Sequence, residues 1–124
     1  MSFCTAINCM DGRTQLPVIN YLLDKYNTSF VDSITEPGPV LILAEQQNPE
    51  AVKSILRRVD ISVNKHKSKA IAIVAHHDCA GNPDSKDNQL KQLEVAVKFI
   101  AAKYPDTEVI GLWVGENWQV EKID

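Results

Sequence analysis

Residues 70–81, AIAIVAHHDCAG, contain the pattern that decides the fold. Six apolar residues run without interruption into His76, and Cys79 follows three positions later. A continuous apolar run of this length, bounded by polar residues, is typical of a strand buried on both faces, as in a parallel sheet. The sequence therefore predicts a buried strand that ends directly at an imidazole and a thiol.

Segments of the same kind alternate with helical segments along the rest of the chain. Apolar residues at helical spacing predict amphipathic helices over 15–26, from Pro49 to about Lys65, and over 87–103. Buried strands are predicted over 2–8, 40–44, 70–75 and 108–114, a short edge strand over 30–34, and a half-exposed last strand over 118–123. The fold class is therefore α/β: three layers around a mainly parallel four-stranded sheet with a C-terminal antiparallel edge strand.

Length and composition narrow the kinds of partner and compartment. A chain of 124 residues predicts a single domain spanning 1–124. The net charge of −3 argues against nucleic acid or an anionic membrane as the main partner, and no apolar run is long enough to span a bilayer. No signal peptide is recognisable, and three cysteines without disulfide-scaffold spacing suit a reducing compartment, so we expect a cytoplasmic protein.

A second polar motif, CMDGR at positions 9–13, follows the first predicted strand. Neighbouring parallel strands would bring Cys9 to the same sheet edge as His76 and Cys79. Two thiolates and one imidazole form a zinc ligand set with the fourth position free, which is typical of catalytic zinc. His77 could replace His76, although the spacing favours His76. The alternative is that both cysteines pack as small apolar groups.

Asp11 and Arg13 favour a functional site over simple packing. A carboxylate and a guanidinium at a buried strand end are costly unless they are paired. As a pair, Arg13 would keep Asp11 ionised and oriented, and Asp11 could then accept a hydrogen bond from a metal-bound water. We therefore predict Zn²⁺ as the cofactor, with Asp11 and Arg13 as catalytic residues beside it.

The combination of C-x-D-x-R at 9–13 with H-x-x-C at 76–79 resembles the β-class carbonic anhydrases. PGPVLIL at 37–43, AIAIVAHHDCAG and the closing GLWVGENWQVEKI are similar to further parts of that family. The resemblance implies zinc on Cys9, His76 and Cys79, with Asp11 and Arg13 as the carboxylate–guanidinium dyad. It also implies the family's reaction, in which a zinc-bound hydroxide converts carbon dioxide to bicarbonate. In some members the aspartate itself occupies zinc in an inactive form.

The sequence also departs from the family pattern. Gly12 and Ala80 differ from the usual residues in their motifs, and AEQQN at 44–48 replaces a run containing arginine and glycine. The family's N-terminal arm, which wraps the partner subunit, is not found before Cys9, so we expect a divergent member with reduced activity. We expect a homodimer or higher homo-oligomer, because so small an α/β unit would expose its sheet faces.

Three other functions remain open at this point. The same zinc site could hydrolyse carbonyl sulfide or carbon disulfide, or the chain could be a non-catalytic zinc-binding protein. A cysteine-dependent redox protein ranks last, because Cys9 and Cys79 form no C-x-x-C pair.

Overall fold

The computed structural model describes all residues, 1–124, and contains one five-stranded sheet. The strands lie in the order β2-β1-β3-β4-β5; the first four are parallel and β5 pairs antiparallel with β4. The elements are β1 (Phe3–Cys9), α1 (Gln15–Tyr26), β2 (Phe30–Glu36), α2 (Pro39–Glu45), α3 (Pro49–Asp60), β3 (Ala70–His76), α4 (Lys86–Lys103), β4 (Glu108–Val114) and β5 (Val120–Ile123).

The strand order reverses between β1 and β3: the connection after β1 leads to one edge of the sheet, and the connection after β3 leads to the other. From β1 the chain passes through α1 to β2 on one side, and from β3 it passes through α4 to β4 on the other. The two strands pair directly, with Thr5 opposite Ile71 and Ile7 opposite Ile73. In open α/β sheets, ligands bind outside the carboxyl ends of the strands at such a switch point. Those ends carry Cys9 and His76.

Helices cover both faces of the sheet, which confirms the predicted three layers. One face packs its buried side chains against Val18 and Leu22 of α1. The other packs against α2, α3 and α4, with Leu43, Ile55 and Ile100 completely buried. Every residue of β3 is buried, as its unbroken apolar run predicts. The sheet therefore forms a rigid platform for the loops at its carboxyl edge.

The prediction of a strand over 40–44 is wrong, because these residues lie in α2. A short apolar run fits a buried strand and a buried helical turn equally well, so composition could not separate them. Gly38, in the left-handed region at φ 61°, and Pro39 at the first helical turn favour the helix start. Val40 and Leu43, spaced for one helical face, are buried. The fourth parallel strand is instead the edge strand β2, which is two residues longer than predicted.

The remaining element predictions agree with the structure apart from their ends. Helix α3 begins after Asn48, whose side chain accepts a hydrogen bond from Ala51 N–H, and it ends at Asp60 rather than Lys65. A wider π-type turn follows, in which His66 N–H bonds to the Ile61 carbonyl. Strand β5 starts at Val120, so Trp118 lies in the β4–β5 turn. None of the helices has the length and apolar character needed to cross a membrane.

Candidate metal centre at the carboxyl edge of the sheet

Cys9, His76 and Cys79 come together where β1 and β3 end. One candidate ligand atom from each residue lies within 4.8 Å of the other two, and all three side chains are buried. The two sulfur atoms are 3.9 Å apart and form no disulfide. Tetrahedral zinc with Zn–S bonds of about 2.3 Å would hold two sulfurs about 3.8 Å apart. The spacing of the thiols therefore fits a single zinc ion.

His76 offers an unused nitrogen to this cluster. Its Nδ1 lies 2.7 Å from the His77 carbonyl oxygen, which fixes the ring and assigns the proton to that nitrogen. Its buried Nε2 has no hydrogen-bond partner. Buried polar atoms are rarely left unpaired, since this costs about 1–3 kcal/mol. A carbonyl bond to one ring nitrogen with the other free is the arrangement in which histidine binds a metal. The exposed neighbour His77 is not part of the cluster.

The two sulfurs lie within hydrogen-bonding distance of each other. Their contact is the main cause that lowers the pKa of Cys9. Backbone N–H groups of Gly38 and Asp11 also stabilise the Cys9 thiolate. The same sulfur–sulfur contact, together with burial, raises the pKa of Cys79. A divalent cation between the sulfurs would displace any proton bound to them, as metal binding to thiols generally does.

Asp11 and Arg13, in the loop after β1, form a salt bridge. Arg13 Nη2 donates to Asp11 Oδ2 at 2.7 Å, and Arg13 Nε donates to Oδ1 at 3.1 Å. Asp11 Oδ1 also accepts the Arg13 backbone N–H at 2.9 Å, which caps the short helical turn at Gly12–Thr14. The Arg13 side chain is the chief reason that the pKa of Asp11 falls to about 2. Asp11 is therefore ionised at neutral pH and held by Arg13.

Glutamines hold the backbone at both strand ends. Gln15 Nε2 donates to the Cys9 carbonyl at 2.7 Å and to the Asp11 carbonyl at 3.1 Å. The buried Gln89 donates from Nε2 to the His76 carbonyl at 3.1 Å. These contacts were missed by the sequence analysis, since a glutamine in a helix carries no pattern that identifies its partner.

Two further residues contact Arg13: Asp78, for which the sequence favoured a turn role over a loop hydrogen bond, and Trp118, which the sequence placed either in the core or at an interface. Asp78 accepts from Arg13 through its carboxylate at 3.3 Å and its backbone carbonyl at 3.2 Å. The Trp118 ring lies under the guanidinium, 4.3 Å from ring centroid to Arg13 Cζ. The one feature of the sequence that could have indicated a role for Asp78 and Trp118 is their position, because each follows the carboxyl end of a parallel strand.

Close backbone contact joins the loop after Cys79 to the turn before α2. A Cβ on Gly81 would lie 2.5 Å from the Pro37 carbonyl carbon and 2.8 Å from the Gly38 nitrogen. Neither backbone atom can move away as a flexible side chain would. Glycine at position 81 therefore allows the Cys79 loop to pack against the turn that contains Gly38, whose backbone N–H helps to lower the pKa of Cys9.

We expect Gly81→Ala to lower the free energy of unfolding by about 1–3 kcal/mol, the range for forced overpacking. Urea unfolding with chelator present would measure this without a contribution from metal. Gly12→Ala is the matched control, because a Cβ there meets no atom within 4 Å. Equal unfolding midpoints for the two variants would contradict the proposed contact.

Comparison with known proteins assigns this chain to a family. A family model described as "Putative carbonic anhydrase" matches residues 1–124, and the chain belongs to that family. No curated protein matches the sequence.

Solved β-carbonic anhydrases share the fold. A tetrameric enzyme from the filamentous ascomycete Sordaria macrospora superposes with a TM-score of 0.62 at 11% identity, over 97% of this chain and 79% of that chain. CafA from the fungal pathogen Aspergillus fumigatus superposes with a TM-score of 0.54 at 14% identity, over 98% of this chain and 74% of that chain. The resemblance to β-carbonic anhydrases that the motifs indicated is confirmed for family and fold.

Proposed function

We propose that this protein catalyses the zinc-dependent, reversible hydration of carbon dioxide to bicarbonate. The observation that carries the proposal is the buried, unpartnered Nε2 of His76, which lies beside two sulfurs spaced for one zinc ion. Family membership supports the reaction class. The ionised Asp11, held next to this cluster by Arg13, distinguishes the site from a purely structural one.

Cys9, His76 and Cys79 would hold the zinc and leave its fourth position free. When bound, zinc supplies an acidified water as the nucleophile toward carbon dioxide. Two thiolate ligands offset the charge of the ion, so the acidification should be weaker than with three neutral ligands. This gives the protein's own hydrogen-bond acceptor a larger part in preparing the nucleophile.

Asp11 would be that acceptor. Its carboxylate is about four-fifths buried and accepts from Arg13 through both oxygens, so it is ionised and restricted in orientation. A carboxylate in this state can take a hydrogen bond from the attacking water and orient the lone pair that forms the new C–O bond. Arg13 would act through Asp11 by fixing its orientation, so we propose Asp11 as the catalytic residue of the dyad and Arg13 as its positioning residue.

We also propose a cytoplasmic protein of one domain that forms a homodimer or higher oligomer. The free, reduced cysteines support a reducing compartment. A tetrameric relative supports self-association. Met10 and Leu16, on either side of the dyad in sequence, are 63% and 69% exposed, and a partner subunit would cover these apolar side chains.

Stopped-flow hydration of carbon dioxide tests the proposed reaction. We expect activity in the zinc-loaded protein, its loss after chelation and its return with added Zn²⁺, because the nucleophile depends on the metal. No zinc-dependent hydration at any pH between about 6 and 9, where such nucleophiles form, would contradict the proposal. Sulfide release from carbonyl sulfide or carbon disulfide in the same preparation would point to one of those substrates instead.

A further inference from the structure

Three groups converge on the guanidinium of Arg13. The Asp11 carboxylate accepts hydrogen bonds from two of the guanidinium nitrogens, Nε and Nη2, one on each oxygen. Asp78 accepts a hydrogen bond from Nη1 on its carboxylate and another from Nη2 on its backbone carbonyl. The Trp118 ring covers the flat surface of the group, at 4.3 Å. The edges of the guanidinium are therefore occupied by acceptors and one face by an indole, although the side chain is 46% exposed.

The backbone at Trp118 is in a conformation that favours glycine. Its φ is 57°, in the left-handed region, where a large side chain is uncommon and costs about 1 kcal/mol or more. Trp118 closes the β4–β5 turn, with its N–H bonded to the Gly115 carbonyl at 2.9 Å. Hairpin turns usually place glycine or asparagine at such a position. Strain of this kind is concentrated at functional sites, where the surrounding structure maintains it.

The strained turn places the indole near both histidines as well as Arg13. The Trp118 ring centroid lies 6.4 Å from that of His76 and 6.3 Å from that of His77, in addition to its contact with Arg13. Asp78, the other residue on Arg13, also has a left-handed φ of 57°. Two loops from different strands therefore adopt unfavourable backbone conformations at residues that contact one guanidinium.

We propose that Trp118 is a positioning residue, whose indole holds the Arg13 guanidinium in the plane that presents Asp11 to the metal centre. The attraction is a cation–π interaction supplemented by packing of the two flat groups. Because the indole contacts the face, it leaves the N–H edge of the guanidinium free for the two aspartates. Gly12, between Asp11 and Arg13, is exposed and has no neighbour within 4 Å of a Cβ, so no other side chain packs on the loop at that position.

The contact can be tested without any enzymatic activity by ¹⁹F NMR of protein labelled with 5-fluorotryptophan. The chain has two tryptophans, and Trp118→Phe assigns the two resonances. We expect Arg13→Ala to shift the Trp118 resonance and leave the Trp113 resonance in place. Lys86→Ala is the matched control, because Lys86 lies over Trp113 at 5.4 Å, and it should shift only the Trp113 resonance. An unchanged Trp118 resonance in Arg13→Ala would overturn the inference.

The consequence for catalysis rests on the proposed carbon dioxide hydration and is tested separately. We expect Trp118→Leu to lower kcat/KM about two- to fivefold, the equivalent of one exposed cation–π contact, with zinc content unchanged. Trp118→Phe, which keeps an aromatic face, should stay within about twofold of wild type. In an Arg13→Ala background Trp118→Leu should cost nothing further. An equal loss in both backgrounds would overturn the positioning role. A wild-type protein without hydration activity would refute the proposed function and leave the NMR result to decide the contact.

Discussion

Replacement of Cys79 by serine is expected to abolish stable zinc binding. The affinity should fall by more than about a hundredfold, the upper range for removal of an outer-shell partner, because a ligand itself is lost. A serine hydroxyl is a much poorer zinc ligand than a thiolate, and only Cys9 and His76 would remain. Metal analysis of purified protein and competition with a chromophoric chelator would measure the loss.

The chain provides its own control for this substitution. Cys4 is the second residue of β1, is completely buried and is outside the ligand cluster. Cys4→Ala should therefore keep full zinc content even if the smaller side chain lowers stability. If Cys79→Ser binds zinc as tightly as wild type, or if Cys4→Ala loses the metal equally, the ligand assignment is wrong.

Asp11→Asn is expected to lower kcat/KM for carbon dioxide hydration by about a hundredfold or more, the usual lower bound for losing a positioned acid or base. The amide is close in shape but lacks the charge that Arg13 pairs with and is a weaker acceptor for the nucleophilic water. Zinc content should stay at the wild-type level, because the cluster consists of Cys9, His76 and Cys79 alone.

Stopped-flow kinetics and zinc analysis of the same samples separate the two effects. Asp106→Asn is a suitable control, since Asp106 is an exposed residue in the turn after α4 and should change neither quantity. Wild-type kcat/KM in Asp11→Asn would exclude the proposed role of the carboxylate. A parallel loss of zinc would instead make Asp11 part of metal binding.

The sequence predicted the parts of the fold that depend on long or repeated patterns. The unbroken apolar run of β3 and the helical spacing of α1 and α4 were sufficient to place these elements. The segment at 40–44 was misassigned because five apolar residues satisfy either a strand or a short helix. Gly38 and Gln46, which flank α2, are both in the left-handed region; Gly38 before Pro39 is a local signal for a helix start, whereas glutamine at position 46 gives no signal for its end.

The candidate site could be predicted where the residue type itself indicates the chemistry. Cysteine and histidine at strand ends are recognisable metal ligands. The carboxyl ends of neighbouring parallel strands lie at the same sheet edge, which was enough to predict that Cys9 lies near His76. Trp118 was not predictable in the same way, because its role depends on a turn conformation that tryptophan rarely adopts. The contact of Gly81 with Pro37 was likewise hidden, since the two loops are distant along the chain.

X-ray absorption at the zinc edge tests the central claim most directly, since it reports the ligands of the bound metal without reference to activity. We predict one zinc ion per chain with two sulfur ligands at about 2.3 Å and two nitrogen or oxygen ligands at about 2.0–2.1 Å. In Cys79→Ser the two-sulfur signature should disappear. A purified protein that binds no zinc, or zinc whose shell contains no sulfur, would contradict the account.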